Sequence, residues 1–355
     1  MWEAPGRVNL IGDHTDHEEG LVLPLALERR VRVAAGRRRG GLLRAVSVEL
    51  GEAELPLADV APGTVEGWPA YVAGPLWALG CTAGMDLVLQ SDLPVGAGLS
   101  SSAAVECAVL LAARDLHGGP EDSAALARLA RRGENEIAVV PCGVMDQMAS
   151  LVCCPAHALL LDTRSLEVEH VPLGLEAAGL ELLVVDTGTR RSLTSGAYAE
   201  RRRECREAAR ILGVPALRDA DERALAAARG ELGETRFRRA RHVVRENARV
   251  LAAAAALRAG RPAEAGPALT ASHASLRDDF EVSAPVLDAA VEATLFAGAM
   301  GARLTGAGMG GCAVALTPSV RAQSVTAAAE RALRALGQAP QVFATGGAGG
   351  ARRIA

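Results

Sequence analysis

Pro94-Val95-Gly96-Ala97-Gly98-Leu99-Ser100-Ser101-Ser102-Ala103-Ala104-Val105 is a glycine-rich turn running into a helix. Gly96 and Gly98 can take backbone angles closed to other residues and put no side chain between backbone and ligand. Ser100, Ser101 and Ser102 supply hydroxyls and are expected to cap the helix behind them. From Ala103 the pattern is helical, with Val105, Val109, Ala112 and Leu116 on one face. Free N–H groups at such a helix start, together with the helix dipole, favour an anion. The stretch therefore reads as a phosphate cradle, against the plainer alternative of a strand–turn–helix corner built from small residues.

Spelling narrows the kind of cradle. A P-loop needs lysine followed by Ser or Thr. The chain has no lysine; all 38 of its Lys/Arg positions are arginine. That also removes the protein-kinase lysine. Gly306, Gly308 and Gly311 spell Gly-x-Gly-x-x-Gly, but Cys312 to Leu316 behind them reads as a strand, so the dinucleotide context fails. They form a second glycine-rich loop.

The 355 residues suggest two domains, and 50% hydrophobic content is ample for a core. A net charge of −4 gives no general attraction to nucleic acid or anionic membrane. The arginine runs 37–39 and 201–203 read as solvated surface. There is no apolar run of membrane-spanning length and no signal-peptide core, so the expected location is the cytoplasm. Seven cysteines without a C-x-x-C pair fit reduced thiols better than a disulfide framework. Cys153, Cys154 and His157 make a thin metal site at best.

Along the chain, strands are expected at 8–11, 21–27, 31–35, 42–48 and 85–89. Helices are expected at 66–80, with Trp68 and Tyr71 near its start, and at 122–134, opened by Asp122 or Ser123. Asp13, His14, Asp16 and His17 crowd one loop. Three readings stay open for them: a solvated loop, metal ligands, or a grip on a polyhydroxylated ligand, since carboxylates accept hydrogen bonds from hydroxyls. Asp146 falls on the first turn of a new helix, where the dipole favours an anion. Strands near 158–162 and 180–186 bracket a connection at 171–179, which is taken as the domain boundary. The second half reads as a helix from Tyr198 to Leu212, a long helical region 219–260, a helix 285–296, two short strands around the second glycine loop, a helix 319–337 and a strand 341–345.

Three motifs in order resemble the GHMP kinases, and within them the galactokinase family: Gly6 to Asp16 (GRVNLIGDHTD), Gly96 to Ala104 (GAGLSSSAA) and Leu304 to Cys312 (LTGAGMGGC). The stretches 142–147, 198–205, 240–247 and 275–283 are similar to that family too. Its pattern has Glu at position 13 and Tyr at 17, where this chain has Asp13 and His17.

The resemblance implies an α+β fold of two domains. Residues 1–174 would form a ribosomal-protein-like N-terminal domain and 175–355 a ferredoxin-like C-terminal domain, with the last strand free to return to the first and the active site in the cleft between them. It implies transfer of the ATP γ-phosphoryl group to the anomeric hydroxyl of galactose; a monomer without nucleic-acid or membrane partners is the separate expectation. By that resemblance Asp146 is the catalytic carboxylate and Arg7 its cationic partner. Asp13, His14, Asp16, Gly143 and Tyr198 touch the sugar. Trp68, Gly96, Ala97, Gly98, Leu99, Ser100, Ser101, Ser102, Gly306 and Gly308 touch ATP, and Ser102 and Glu134 hold Mg²⁺. Another sugar 1-kinase, or a non-catalytic galactose sensor, are the alternatives.

Overall fold

The computed structural model describes residues 1–190 and 196–355. A six-stranded sheet carries the first part of the chain, in the order Arg352–Arg353, Trp2–Asn9, Pro24–Arg37, Met85–Ser91, Leu42–Ser47, Gly51–Pro56. Met85–Ser91 shows how sequence makes the layer: Met85, Leu87 and Leu89 are buried while Asp86, Val88 and Gln90 are exposed, the period of two of a half-covered strand. The helices Ala70–Leu79, Ser101–His117, Ser123–Glu136 and Met145–Val152 contribute to the same hydrophobic core.

Several boundaries differ from expectation. The first strand spans Trp2–Asn9, where 8–11 was expected, because an irregularity between Pro5 and Arg7 absorbs the Pro-Gly pair. Strands expected at 21–27 and 31–35 are instead a two-residue strand, Leu21–Val22, and one unbroken strand, Pro24–Arg37. The charges at Glu28, Arg29 and Arg30 resemble a break. Arg30, however, is buried against the carbonyls of Gly349 and Gly350, to which it donates at 2.6 and 3.4 Å, so the strand continues through it. Gly51–Pro56 and Val168–Pro172 are strands the pattern did not reveal. The glycine-rich tail ends in Arg352–Arg353, paired with Trp2 and Glu3.

A second sheet runs Gly301–Thr305, Cys312–Pro318, Leu180–Asp186, Gln341–Thr345. Its alternating residues face two cores. Leu182, Val184 and Val314 join the first core, while Leu183, Val185, Ala313 and Ala315 pack with residues of the helices Pro285–Phe296 and Ala322–Ala335. A third cluster lies among the helices Ala197–Leu212, Arg229–Arg258 and Gly266–Asp278. The expected helical region 219–260 is divided: Glu222–Ala227 precedes Arg229–Arg258, which is itself broken at Gly233 (φ 66°, ψ 169°). Gly266–Asp278 was not anticipated, since Gly266-Pro267 looks like a turn. The proline stands in the helix's opening turn, where its missing N–H costs nothing. A small sheet of Leu21–Val22, His157–Asp162 and Val168–Pro172 completes the strands. Among the described residues no helix is long and apolar enough to cross a membrane.

One close helix crossing positions the site. A Cβ on Gly133 would lie 2.5 Å from the carbonyl carbon of Gly74, and one on Gly74 would lie 2.8 Å from the Gly133 oxygen. Only paired glycines allow the Ala70–Leu79 and Ser123–Glu136 backbones to touch, and the residue after Gly133 is Glu134. Gly133→Ala is expected to force the helices apart and destabilise the protein by about 1–3 kcal/mol. Urea unfolding of wild type and variant measures it; equal midpoints and slopes would contradict the crossing.

Candidate active site

Arg7 is the hub of the first loop. It lies on the first strand, 5% exposed, and its backbone N–H donates to the Leu99 carbonyl at 3.1 Å. Its Nε and Nη2 reach Asp146 Oδ1 and Oδ2 at 2.8 Å each, and Nη1 donates to the Gly98 carbonyl at 2.9 Å. This is the parallel two-bond geometry that arginine forms with a carboxylate. Gly96 and Gly98 have φ of 74° and 79°, as a turn over a ligand requires. Ser100 sits ahead of the Ser101–His117 helix with φ 56° and does not cap it; its hydroxyl donates instead to Asp146 Oδ2 at 2.5 Å. The expected cap is thus replaced by a bond that ties the loop to Asp146. Asp146 lies in the first turn of Met145–Val152, and its side chain is 25% exposed. It is held by Arg7 and Ser100 yet open on one side.

Behind Asp146 lies a buried acidic group. Gln147 Nε2 donates to Glu134 Oε2 at 2.7 Å and to Glu106 Oε2 at 3.2 Å, and the Cys142 thiol donates to Glu134 at 3.2 Å. Ser102 also hydrogen-bonds Glu134. Burial pushes both carboxyls up, Glu134 to about 7 and Glu106 well above its usual range. Glu106 Oε1 and Gln147 Oε1 are buried with no hydrogen-bond partner. An all-oxygen donor set of Glu134 and Ser102, with unmet acceptors behind it, suits a hard divalent cation such as Mg²⁺. Glu106 escaped the sequence reading, although a lone charge within the apolar run Ala103–Ala113 is a signal.

The crowded loop 13–17 is not a solvated one, since Asp13 and His14 are 2% and 4% exposed. Asp13 does not stand free as a sugar contact. Arg303 donates to its Oδ2 at 2.5 Å and the Gly306 N–H to its Oδ1 at 3.1 Å. Arg303, fully buried, also donates to the Asn9 and Leu10 carbonyls at 3.1 Å each. Gly306, expected to touch ATP, spends its N–H on Asp13. Gly308, read the same way, lies under Val282, whose carbonyl oxygen would be 2.1 Å from a Cβ there. The second glycine loop thus meets the first motif through the Asp13 and His14 side chains and approaches Val282 with its own backbone. Arg303 was missed too; an arginine inside an apolar strand next to a glycine loop was the clue.

His14, Asp16, Gly143 and Tyr198 lie together, while Trp68 stands apart. His14 has φ 63°, its Nε2 lies 3.2 Å from the Ala307 carbonyl, and its ring centre is 4.7 Å from Phe280 and 5.6 Å from Tyr198. Asp16 lies directly over Gly143, where a Cβ would fall 1.7 Å from Asp16 Oδ2. Gly143 is therefore what gives the carboxylate its place. Burial pushes the Asp16 carboxyl up despite the opposing influence of His17, while the Tyr198 phenol is pushed well up by burial and then by the Asp16 charge. Trp68 precedes the Ala70–Leu79 helix, half-buried against the first core.

Two outcomes are expected from this electrostatics. Asp13→Asn leaves Arg303 buried without its counter-charge and is expected to cost about 3–5 kcal/mol; Asp13→Asn with Arg303→Met should recover most of it, as urea unfolding will show. Second, between about pH 4.5 and 7 the unfolded chain has released the Glu134 proton while the folded chain keeps it. The stability from that proton is complete below 4.5 and lost as pH rises through 7. Metal-free wild type should therefore lose stability across that window relative to Glu134→Gln, measured by unfolding in chelator; parallel pH curves would refute the raised carboxyl.

Comparison with known proteins agrees with these motifs. Residues 1–37 match the galactokinase galactose-binding signature, 70–153 the GHMP kinases N terminal domain and 253–337 the GHMP kinases C terminal family. The chain is 46% identical to a galactokinase of Streptomyces coelicolor, an alignment covering 100% of this chain and 94% of that protein. It is 44% identical to a Homo sapiens galactokinase, over 88% of this chain and 82% of that one. A Lactococcus lactis galactokinase solved with galactose superposes with a TM-score of 0.94 at 32% identity, covering 99% and 94%. A mevalonate kinase at 17% identity and a TM-score of 0.64 shares the fold. Full-length identity and all three family regions agree, and the chain belongs to the galactokinase family of the GHMP kinases.

Proposed function

We propose that this chain transfers the γ-phosphoryl group of ATP to the anomeric hydroxyl of galactose, giving galactose 1-phosphate and ADP. The observation that carries the reading is the Arg7–Asp146 fork. It places an arginine-held, partly open carboxylate at the mouth of a glycine-rich loop. Phosphoryl transfer needs placement and charge neutralisation more than covalent chemistry from the protein. The N–H groups of Gly96 to Ser102 and the start of Ser101–His117 would take the phosphates, with Trp68 on the adenine side.

Glu134 and Ser102 would hold Mg²⁺, which neutralises phosphate charge when bound. Asp146 would orient the anomeric hydroxyl and take its proton as the bond to phosphorus forms. Arg7 fixes Asp146 in two directions and adds a positive charge where negative charge gathers on the transferred group. His14, Asp16, Gly143 and Tyr198 would receive the sugar. Asp13 acts on the sugar through the loop it anchors. Its carboxylate is already taken up by Arg303 and Gly306.

The test is ADP release with Mg-ATP across a panel of hexoses. Galactose should exceed glucose by on the order of 10³ in kcat/KM, since an epimer leaves buried hydrogen-bonding groups misaligned. Comparable values would replace galactose by a broader sugar specificity. Asp146→Asn should keep galactose binding and lower kcat by about 10²–10⁴; turnover within threefold of wild type would remove Asp146 from the chemistry.

A further inference from the structure

At the Asp16–Glu18 turn three ligating side chains meet. His17 and Glu18 lie in the 3-10 turn Asp16–Glu18, and Cys205 lies on the helix Ala197–Leu212. A ring nitrogen of His17, a carboxylate oxygen of Glu18 and Cys205 Sγ all lie within 4.8 Å of one another. Among the described residues this is the one such grouping of three; Cys153, Cys154 and His157 do not converge in this way.

The state of these groups points to a ligand. The His17 side chain is wholly shielded from solvent, and neither ring nitrogen has a hydrogen-bond partner. A neutral imidazole carries one N–H and one lone pair, and burying both unmet is costly. Glu18 is oriented from behind: Leu217 N–H donates to its Oε2 at 3.2 Å, while Oε1 faces His17 Nδ1 at 3.5 Å. That separation is close to one edge of a tetrahedron with metal–ligand bonds of about 2.0–2.3 Å. Cys205 is fully buried beside them. An open cleft of about 370 Å³, lined by His17, Glu18, Glu19, Arg206, Arg210 and Pro215, lies next to the group, while Cys205 is not part of its lining.

We propose that His17, Glu18 and Cys205 form a site for a thiophilic divalent cation of the Zn²⁺ class, separate from the Mg²⁺ position at Glu134 and Ser102. On binding, the Cys205 thiol gives its proton to solvent and its sulfur bonds the metal. The thiolate and the Glu18 carboxylate then balance the two positive charges, and the cationic side chains of Arg206 and Arg210 stay at the outer wall. His17 supplies its free lone pair, and a water in the cleft takes the fourth position. The nitrogen and sulfur donors select Zn²⁺ over Mg²⁺, which prefers oxygen. An ion there pins the Asp16–Glu18 turn to the helix that carries Tyr198, joining two walls of the sugar cleft.

The test uses the full chain in excess Mg²⁺. Equilibrium dialysis should show one Zn²⁺ per chain, and Co²⁺ should give a thiolate-to-metal absorption band. Cys205→Ala should abolish the band. His17→Phe, which keeps a ring against Phe280 and Tyr198, should weaken Zn²⁺ binding by more than about 100-fold, beyond the loss expected for an outer partner. Wild type with no stoichiometric Zn²⁺ or no thiolate band would overturn the proposal whatever the variants do. So would a band that survives Cys205→Ala in a chain that unfolds at the wild-type temperature.

Discussion

The bond on which the rest of the site depends is the fork between Arg7 and Asp146. Arg7 belongs to the first strand, the Gly98 carbonyl to the glycine loop, and Asp146 to the opening turn of a helix 139 residues further on. One guanidinium fixes all three with rigid planar geometry that a lysine could not reproduce. The use of arginine alone for positive charge throughout the chain accords with this. Ser100 adds a second tether, and the loop gives up its side-chain cap to make it. The loop, the carboxylate and the strand are therefore tied to one another.

A second buried pair does the same for the other wall. Arg303 and Asp13 are nearly solvent-free, and a buried ion pair is weak evidence for stability because desolvation opposes the attraction. Here both partners are also hydrogen-bonded to backbone: Arg303 to the Asn9 and Leu10 carbonyls, Asp13 to the Gly306 N–H. Thr305 reinforces the seam, taking the Asn9 N–H and donating to the Asn9 carbonyl. The first and third motifs, nearly 300 residues apart, form one structural element.

Between these two anchors the protein gathers carboxyl groups: Asp16, Glu106, Glu134 and Asp146. Burial raises Asp16, Glu106 and Glu134, so without a cation the pocket carries an electrostatic penalty that partial protonation relieves. In the proposed reaction a polyphosphate would add further negative charge, which Arg7 and a hard metal held by Glu134 and Ser102 would offset. On that reading the loaded state would be favoured over the empty one, since a cation would remove a penalty already present.

The sequence by itself determined the family, the glycine loop, the helix that starts at Met145 and the residues that crowd loop 13–17. The family rests on the resemblance of three motifs, and the rest on local chemistry: glycine at positive φ, an acid in a first helical turn, small residues before an apolar face. Tertiary structure alone decided what each charged side chain faces. Asp13 and Asp16 are three residues apart in the same acidic loop, yet one is consumed by Arg303 and the other lies open over Gly143. Nothing within the loop distinguishes them, because the distinction comes from a strand some 290 residues later. Glu106 and Arg303 stood out as lone charges in apolar runs, but what they face, and the convergence of His17 with Cys205, were out of reach for the same reason. A buried polar group is defined by its partners, and partners across a fold leave no periodic trace in the chain.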